Sequence, residues 1–151
     1  DFYIFSFATF IVAAFTDLLD GYFARKYNQS SDSGALLDLL ADKLFVSILL
    51  IWMTFNFDDK LILISTMLII SREIAVSYFR LHLVTKSSSL DEVKPNSYGK
   101  IKTAIQMIGL GLVLISPLFD KFVFSLSVNL LLLSALFSWI SFLKYLKKWY
   151  E

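Results

Sequence analysis

The sequence predicts an all-α protein, a polytopic membrane helix bundle, and three observations carry that prediction. The 151-residue chain is 57% hydrophobic with a mean hydropathy of +0.67, too apolar for an ordinary soluble domain. Its apolar residues gather into five runs close to the roughly 20 residues that cross a bilayer. The polar breaks between the runs are unequally charged on alternate sides, as the loops of a membrane bundle are.

The first helix is expected over about Phe2 to Tyr27, apolar to Phe15 and acidic after it. The second covers about Gly34 to Phe55, with Asp38 and Asp42 in its first two turns. The third runs from about Leu61 to Leu83 and carries Arg72 and Glu73. The fourth spans about Gly99 to Phe119, with Pro117 near its end, and the fifth about Phe122 to Tyr145. Lys86 to Tyr98, with three successive serines, Pro95 and Asn96, reads as an exposed loop. Without repeats or low-complexity tracts, residues 1–151 form a single membrane domain.

Five helices place the loops alternately on two sides. Arg25, Lys26, Lys86 and Lys94 share one side with Lys144, Lys147 and Lys148, while the other holds Asp58, Asp59, Lys60, Asp120 and Lys121. The basic excess marks the first side as cytoplasmic, and all four acids between Asp17 and Asp42 lie toward it. The chain then enters from the outer face, so a sixth helix is expected ahead of Asp1. The opening residues lack the basic region and cleavage site of a signal peptide. Trp139, Tyr145, Trp149 and Tyr150 fit an interfacial aromatic belt, and core packing suits Trp139 equally well.

One histidine excludes a His-rich metal site, and the absence of cysteine excludes disulfides and thiolate chemistry. The chemistry gathers instead between Asp17 and Asp42. This segment reads Asp17-Leu-Leu-Asp20-Gly21-Tyr-Phe-Ala24-Arg25, eight residues, then Gly34-Ala-Leu-Leu-Asp38-Leu-Leu-Ala-Asp42. Acids in or near a bilayer are costly unless paired, metal-bound or facing water. Helical residues three and four apart share a face, so Asp17, Asp20 and Ala24 line one stripe, and Gly34, Asp38 and Asp42 line another. The eight-residue gap allows the two stripes to face each other. Four carboxylates converging in this way suit Mg²⁺ or Mn²⁺, and two ions could share them. Gly21, Ala24 and Gly34 leave room for a bulky ligand, and Arg25 offers a planar fork to phosphate oxygens. Small residues at this spacing also serve plain helix packing. Lys43 reads as a helix-surface charge.

Taken together, these residues resemble the signature of the CDP-alcohol phosphatidyltransferase family, D-x2-D-G-x2-A-R-x8-G-x3-D-x3-D, at every defined position. The resemblance implies a six-helix, dimeric membrane enzyme that moves a phosphatidyl group from a CDP-linked lipid to an alcohol and releases CMP, with divalent cations. It implies metal ligation by Asp17, Asp20, Asp38 and Asp42, with Asp42 also the general base, and contacts to the CDP moiety from Gly21, Ala24, Arg25 and Gly34. Ala41-Asp42-Lys43, Ser71-Arg72-Glu73-Ile74, Arg80 and the stretch from Gly99 to Met107 resemble the bacterial phosphatidylglycerophosphate synthase branch. The expected substrates are therefore CDP-diacylglycerol and glycerol 3-phosphate, in a bacterial plasma membrane with the site facing the cytoplasm. No nucleic-acid partner is expected. Leu39 stands where relatives often carry Pro, which removes no ligand.

An anionic acceptor needs fixed cations, and Arg72, Arg80, Lys100 and Lys102 are the candidates. Arg72 could instead pair with Glu73, and Lys100 and Lys102 could serve as interfacial anchors. Rival readings are a cardiolipin synthase or an inositol-phosphate transferase, a prenyltransferase, and a divalent-cation carrier. A carrier needs polar residues across the whole membrane, whereas these acids cluster at one side.

Overall fold

The computed structural model describes the backbone of residues 2–26, 32–86 and 97–150, and side chains at 2–17, 19, 40–79, 102–143 and 146. They form five α-helices, with no strand among the described residues: α1 (Phe2–Lys26), α2 (Asp32–Phe57), α3 (Lys60–Lys86), α4 (Ser97–Ile115) and α5 (Lys121–Tyr150). Every expected helix is present, with ends shifted by a few residues. The fourth stops earlier than expected, because Ser116–Leu118 turns as a 3₁₀ helix at Pro117, which has no N–H to continue the α ladder.

The tight α2–α3 connection is built from two aspartates. Asp58 adopts a φ of 45°, a left-handed conformation that Asp tolerates better than most residues. Asp59 then caps α3, its Oδ1 accepting from the Leu61 and Ile62 amides at 2.8 and 3.1 Å.

Among the described residues, three stretches are long and apolar enough to cross a membrane: Leu40–Phe57, Lys60–Phe79 and Lys121–Leu143. Phe2–Asp17 and Lys102–Leu118 are shorter apolar runs, of 10–17 residues.

The core joins all five helices. Leu50 and Met53 of α2, Ile62 and Ile69 of α3, Leu110 and Leu114 of α4, and Leu131 and Ala135 of α5 are buried together, with Phe10 of α1 closing one side. α4 packs closely because it presents glycines in two directions. A Cβ on Gly109 would lie 3.0 Å from Leu131 Cδ2 and 3.3 Å from the Leu131 amide nitrogen, and one on Gly111 would lie 3.3 Å from the Phe10 ring. Small residues of this kind let membrane helices approach where lipid supplies no hydrophobic drive between them. Ser127 and Ser134 of α5 are buried, and each returns its hydroxyl to a carbonyl of its own helix, at 2.7 and 2.8 Å. Outward-facing apolar residues such as Phe55 (83% exposed) and Phe122 (74%) suit lipid rather than water.

The structure also decides the role of Trp139. Its indole Nε1–H donates to the Leu68 carbonyl of α3 at 2.9 Å, and its ring meets Phe142 edge-on. It is a helix-packing residue.

Candidate active site

The signature spans the C-terminal part of α1 and the N-terminal part of α2. Two ring pairs fix the antiparallel register of these helices: Phe2 with Trp52, and Phe10 with Phe45, with centroids 6.1 Å apart in each pair. Asp17 and Asp20 lie on α1, and Asp38 and Asp42 on α2, with Asp42 one turn beyond Asp38. Asp17 and Asp42 are both exposed. The side chains of Asp20, Arg25 and Asp38, together with Gly21, Ala24 and Gly34, lie outside the described side chains, although their backbone positions are helical. Among the described residues, no three acidic, histidine or cysteine side chains gather as a metal site.

A second group of polar residues is built on α3. Glu73 Oε1 accepts from Arg72 Nη1 at 2.8 Å and from Lys102 Nζ of α4 at 2.6 Å. One turn on, Ser77 Oγ donates to the Glu73 backbone carbonyl at 2.6 Å. The Lys43 ammonium of α2 in turn donates to Ser77 Oγ. Three helices therefore bring cations to one turn of α3. The Lys102 side chain is only 7% exposed, and Gln106, one turn along α4, is buried as well. The buried Arg72 Nε has no hydrogen-bond partner among the described residues.

Burial of charge sets the chemistry of this cluster. An ion removed from water needs a partner, and a pair is favourable only with good geometry and further hydrogen bonds. Here one carboxylate oxygen serves two cations, with a third cation one hydroxyl away. Among the described residues the cations of this cluster outnumber its one carboxylate, a balance that suits an anion.

The sequence-predicted cations divide accordingly. Arg72 and Lys102 come together, and Arg72 does pair with Glu73. Arg80 and Lys100 lie outside the described side chains. Lys43 corrects the expectation of a surface charge: it is half-buried and bonded across to α3. Ser77 is outside the residues the sequence points to, and Gln106 falls in the Gly99–Met107 stretch without an assigned role. Their signal is spacing, since each stands four residues beyond Glu73 or Lys102, on the same helix face.

The described residues define an all-α bundle with helices long and apolar enough to cross a membrane. The chain belongs to the CDP-alcohol phosphatidyltransferase family, whose model matches residues 1–143. Its relatives include CDP-diacylglycerol–glycerol-3-phosphate 3-phosphatidyltransferase 2 of Arabidopsis thaliana, 39% identical over 150 residues, with 92% of this chain and 64% of the relative covered. The CDP-diacylglycerol–glycerol-3-phosphate 3-phosphatidyltransferase of Shigella flexneri serotype 5b (strain 8401) is 34% identical over 137 residues, covering 91% of this chain and 74% of the relative. The enzyme of that name from Escherichia coli (strain K12) is 36% identical over 108 residues, covering 72% and 59%. The chain thus spans about three fifths to three quarters of the length of these relatives.

Proposed function

We propose that this chain transfers the phosphatidyl group of CDP-diacylglycerol to glycerol 3-phosphate, giving phosphatidylglycerophosphate and CMP. The observation that carries the proposal is the shared name of relatives 34–39% identical across most of the chain. The cation cluster on α3 supports it, because it is tied through Lys43 to the helix that bears Asp42.

Four carboxylates on two consecutive helices offer an all-oxygen donor set of the kind Mg²⁺ and Mn²⁺ take. Asp17, Asp20, Asp38 and Asp42 would hold two such ions, which would neutralise the diphosphate and stabilise CMP as it leaves. Gly21, Ala24 and Gly34 leave space for the nucleotide, and Arg25 bonds its phosphate. Asp42 takes the proton of the acceptor's primary hydroxyl. The freed oxygen forms a bond to the lipid-side phosphorus as the bond from that phosphorus to the CMP oxygen breaks. Arg72 and Lys102, with Arg80 and Lys100, hold the acceptor's phosphate so that its hydroxyl faces Asp42. The site faces the cytoplasm of a bacterial plasma membrane, and the enzyme works as a homodimer.

The test supplies labelled glycerol 3-phosphate, CDP-diacylglycerol and Mg²⁺ or Mn²⁺ to the full-length protein in detergent micelles. Phosphatidylglycerophosphate and CMP should appear in equal amounts. Use of phosphatidylglycerol or inositol phosphate instead would overturn the acceptor assignment. Metal flux into proteoliposomes without CMP release would overturn the enzyme reading.

A further inference from the structure

Glu73 is an anion in a place where the proposed substrate is also an anion. On electrostatics alone it should repel the acceptor's phosphate, yet it sits at the centre of the cluster. Its geometry explains why. A single oxygen, Oε1, receives Arg72 Nη1 from its own helix and Lys102 Nζ from α4. The two long side chains would otherwise be free to turn their charges away from each other, since each has several rotatable bonds and the cations repel. The Arg72 contact uses the Nη1 corner of the guanidinium and leaves the buried Nε–H unspent. The same turn of α3 is anchored from below by the Ser77 hydroxyl on the Glu73 carbonyl, itself held by Lys43.

We propose that Glu73 is a positioning residue of the acceptor site. It clamps Arg72 and Lys102 into one fixed pair that receives the phosphate of glycerol 3-phosphate. This rests on the acceptor reading above and adds the residue that arranges its cations. Glu73 does not touch substrate; it acts through the two cations.

Opposite outcomes separate this role from simple charge balance. Glu73→Gln keeps the shape of the side chain and removes its charge. If Glu73 only offsets two cations, its loss makes the cluster more positive and phosphate binds more tightly. If Glu73 positions them, the pair comes apart and phosphate binds more weakly. The experiment titrates full-length wild type and Glu73→Gln with glycerol 3-phosphate by calorimetry and measures KM for both substrates. We expect glycerol 3-phosphate affinity to fall about tenfold or more, as for a lost charge-assisted hydrogen bond, with KM for CDP-diacylglycerol within about twofold of wild type. Glu73→Asp, too short to reach both cations at once, should fall between. Tighter phosphate binding, or equal changes in both KM values, would overturn the proposal, as would failure of both variants to fold. Failure of the acceptor reading itself shows separately, as wild type that does not bind glycerol 3-phosphate.

Discussion

Lys102 of α4 and Glu73 of α3 meet at 2.6 Å, 29 residues apart in sequence. Their contact joins two helices through charge, beside the apolar packing and the interhelical hydrogen bonds of Lys43 and Trp139. Removing Lys102 leaves Glu73 with Arg72 as its cation in this pairing, and removing one partner of a buried pair is strongly destabilising. Lys102→Gln should therefore lower the thermal midpoint of the detergent-solubilised protein. In the assay, Lys102→Gln and Arg72→Gln should each raise KM for glycerol 3-phosphate by about tenfold or more and raise KM for the CDP-lipid less. Equal rises in both values would argue against a phosphate pocket at this cluster.

The glycines of α4 make a prediction about stability alone. At Gly109 an added methyl meets both the Leu131 side chain and the backbone of α5, which has little freedom to retreat. At Gly111 it meets the rings of Phe7 and Phe10, which can tilt. Overpacking costs about 1–3 kcal/mol, offset by up to about 1 kcal/mol of helix propensity gained on replacing Gly by Ala. Gly109→Ala should be the more destabilising, by about 1–2 kcal/mol, with Gly111→Ala close to neutral. Denaturation in mixed micelles with a graded denaturing detergent measures both. The reverse order would mean that α5 yields more readily than α1.

The five helices were legible because each is an apolar run bounded by charge or by Pro117. The acidic pattern was equally legible, since it depends on helical spacing within one segment. What the sequence hid were contacts between distant positions. Lys43 looked like a surface charge because nothing near it in sequence shows that Ser77, 34 residues on, receives its ammonium. Trp139 suited a membrane interface and a packed core equally until the Leu68 carbonyl decided it. The antiparallel register of α1 and α2 needed the ring pairs Phe2–Trp52 and Phe10–Phe45, because an eight-residue gap permits several registers. In the same way, Arg72 could be read as a phosphate ligand or as a partner of Glu73. The observed pairing with Glu73 decides the structural role, and the phosphate role rests on the proposed acceptor site.

Metal removal tests the acidic helix pair. If Asp17, Asp20, Asp38 and Asp42 hold divalent ions against the diphosphate, chelation with EDTA should abolish CMP release. Added Mg²⁺ or Mn²⁺ should restore it, while Ca²⁺, with its longer and more variable coordination, should restore it poorly. Asp17→Ala, Asp20→Ala and Asp38→Ala should each weaken metal affinity and abolish activity together, as read by Mn²⁺ electron paramagnetic resonance alongside the assay. Full activity after exhaustive chelation would refute a metal-dependent reaction.

Asp42 should behave differently from its three companions. It lies one turn further along α2 than Asp38 and directly precedes Lys43, which is tied to the α3 cluster. On the proposed reading, an acceptor whose phosphate rests on Arg72 and Lys102 presents its hydroxyl to the Asp42 carboxylate. Asp42→Asn keeps the size of the side chain and one oxygen for a metal, but takes away its basicity. Binding of CDP-lipid and part of the metal affinity should survive, while turnover falls by about 10² to 10⁴, the range typical of a lost general base. The deficit should lie in kcat, with KM for glycerol 3-phosphate little changed, because the phosphate contacts are untouched. A direct binding measurement with CDP-diacylglycerol, paired with single-turnover kinetics, separates the two effects. Normal single-turnover rates in Asp42→Asn would remove Asp42 as the base and move the proton acceptor to another group.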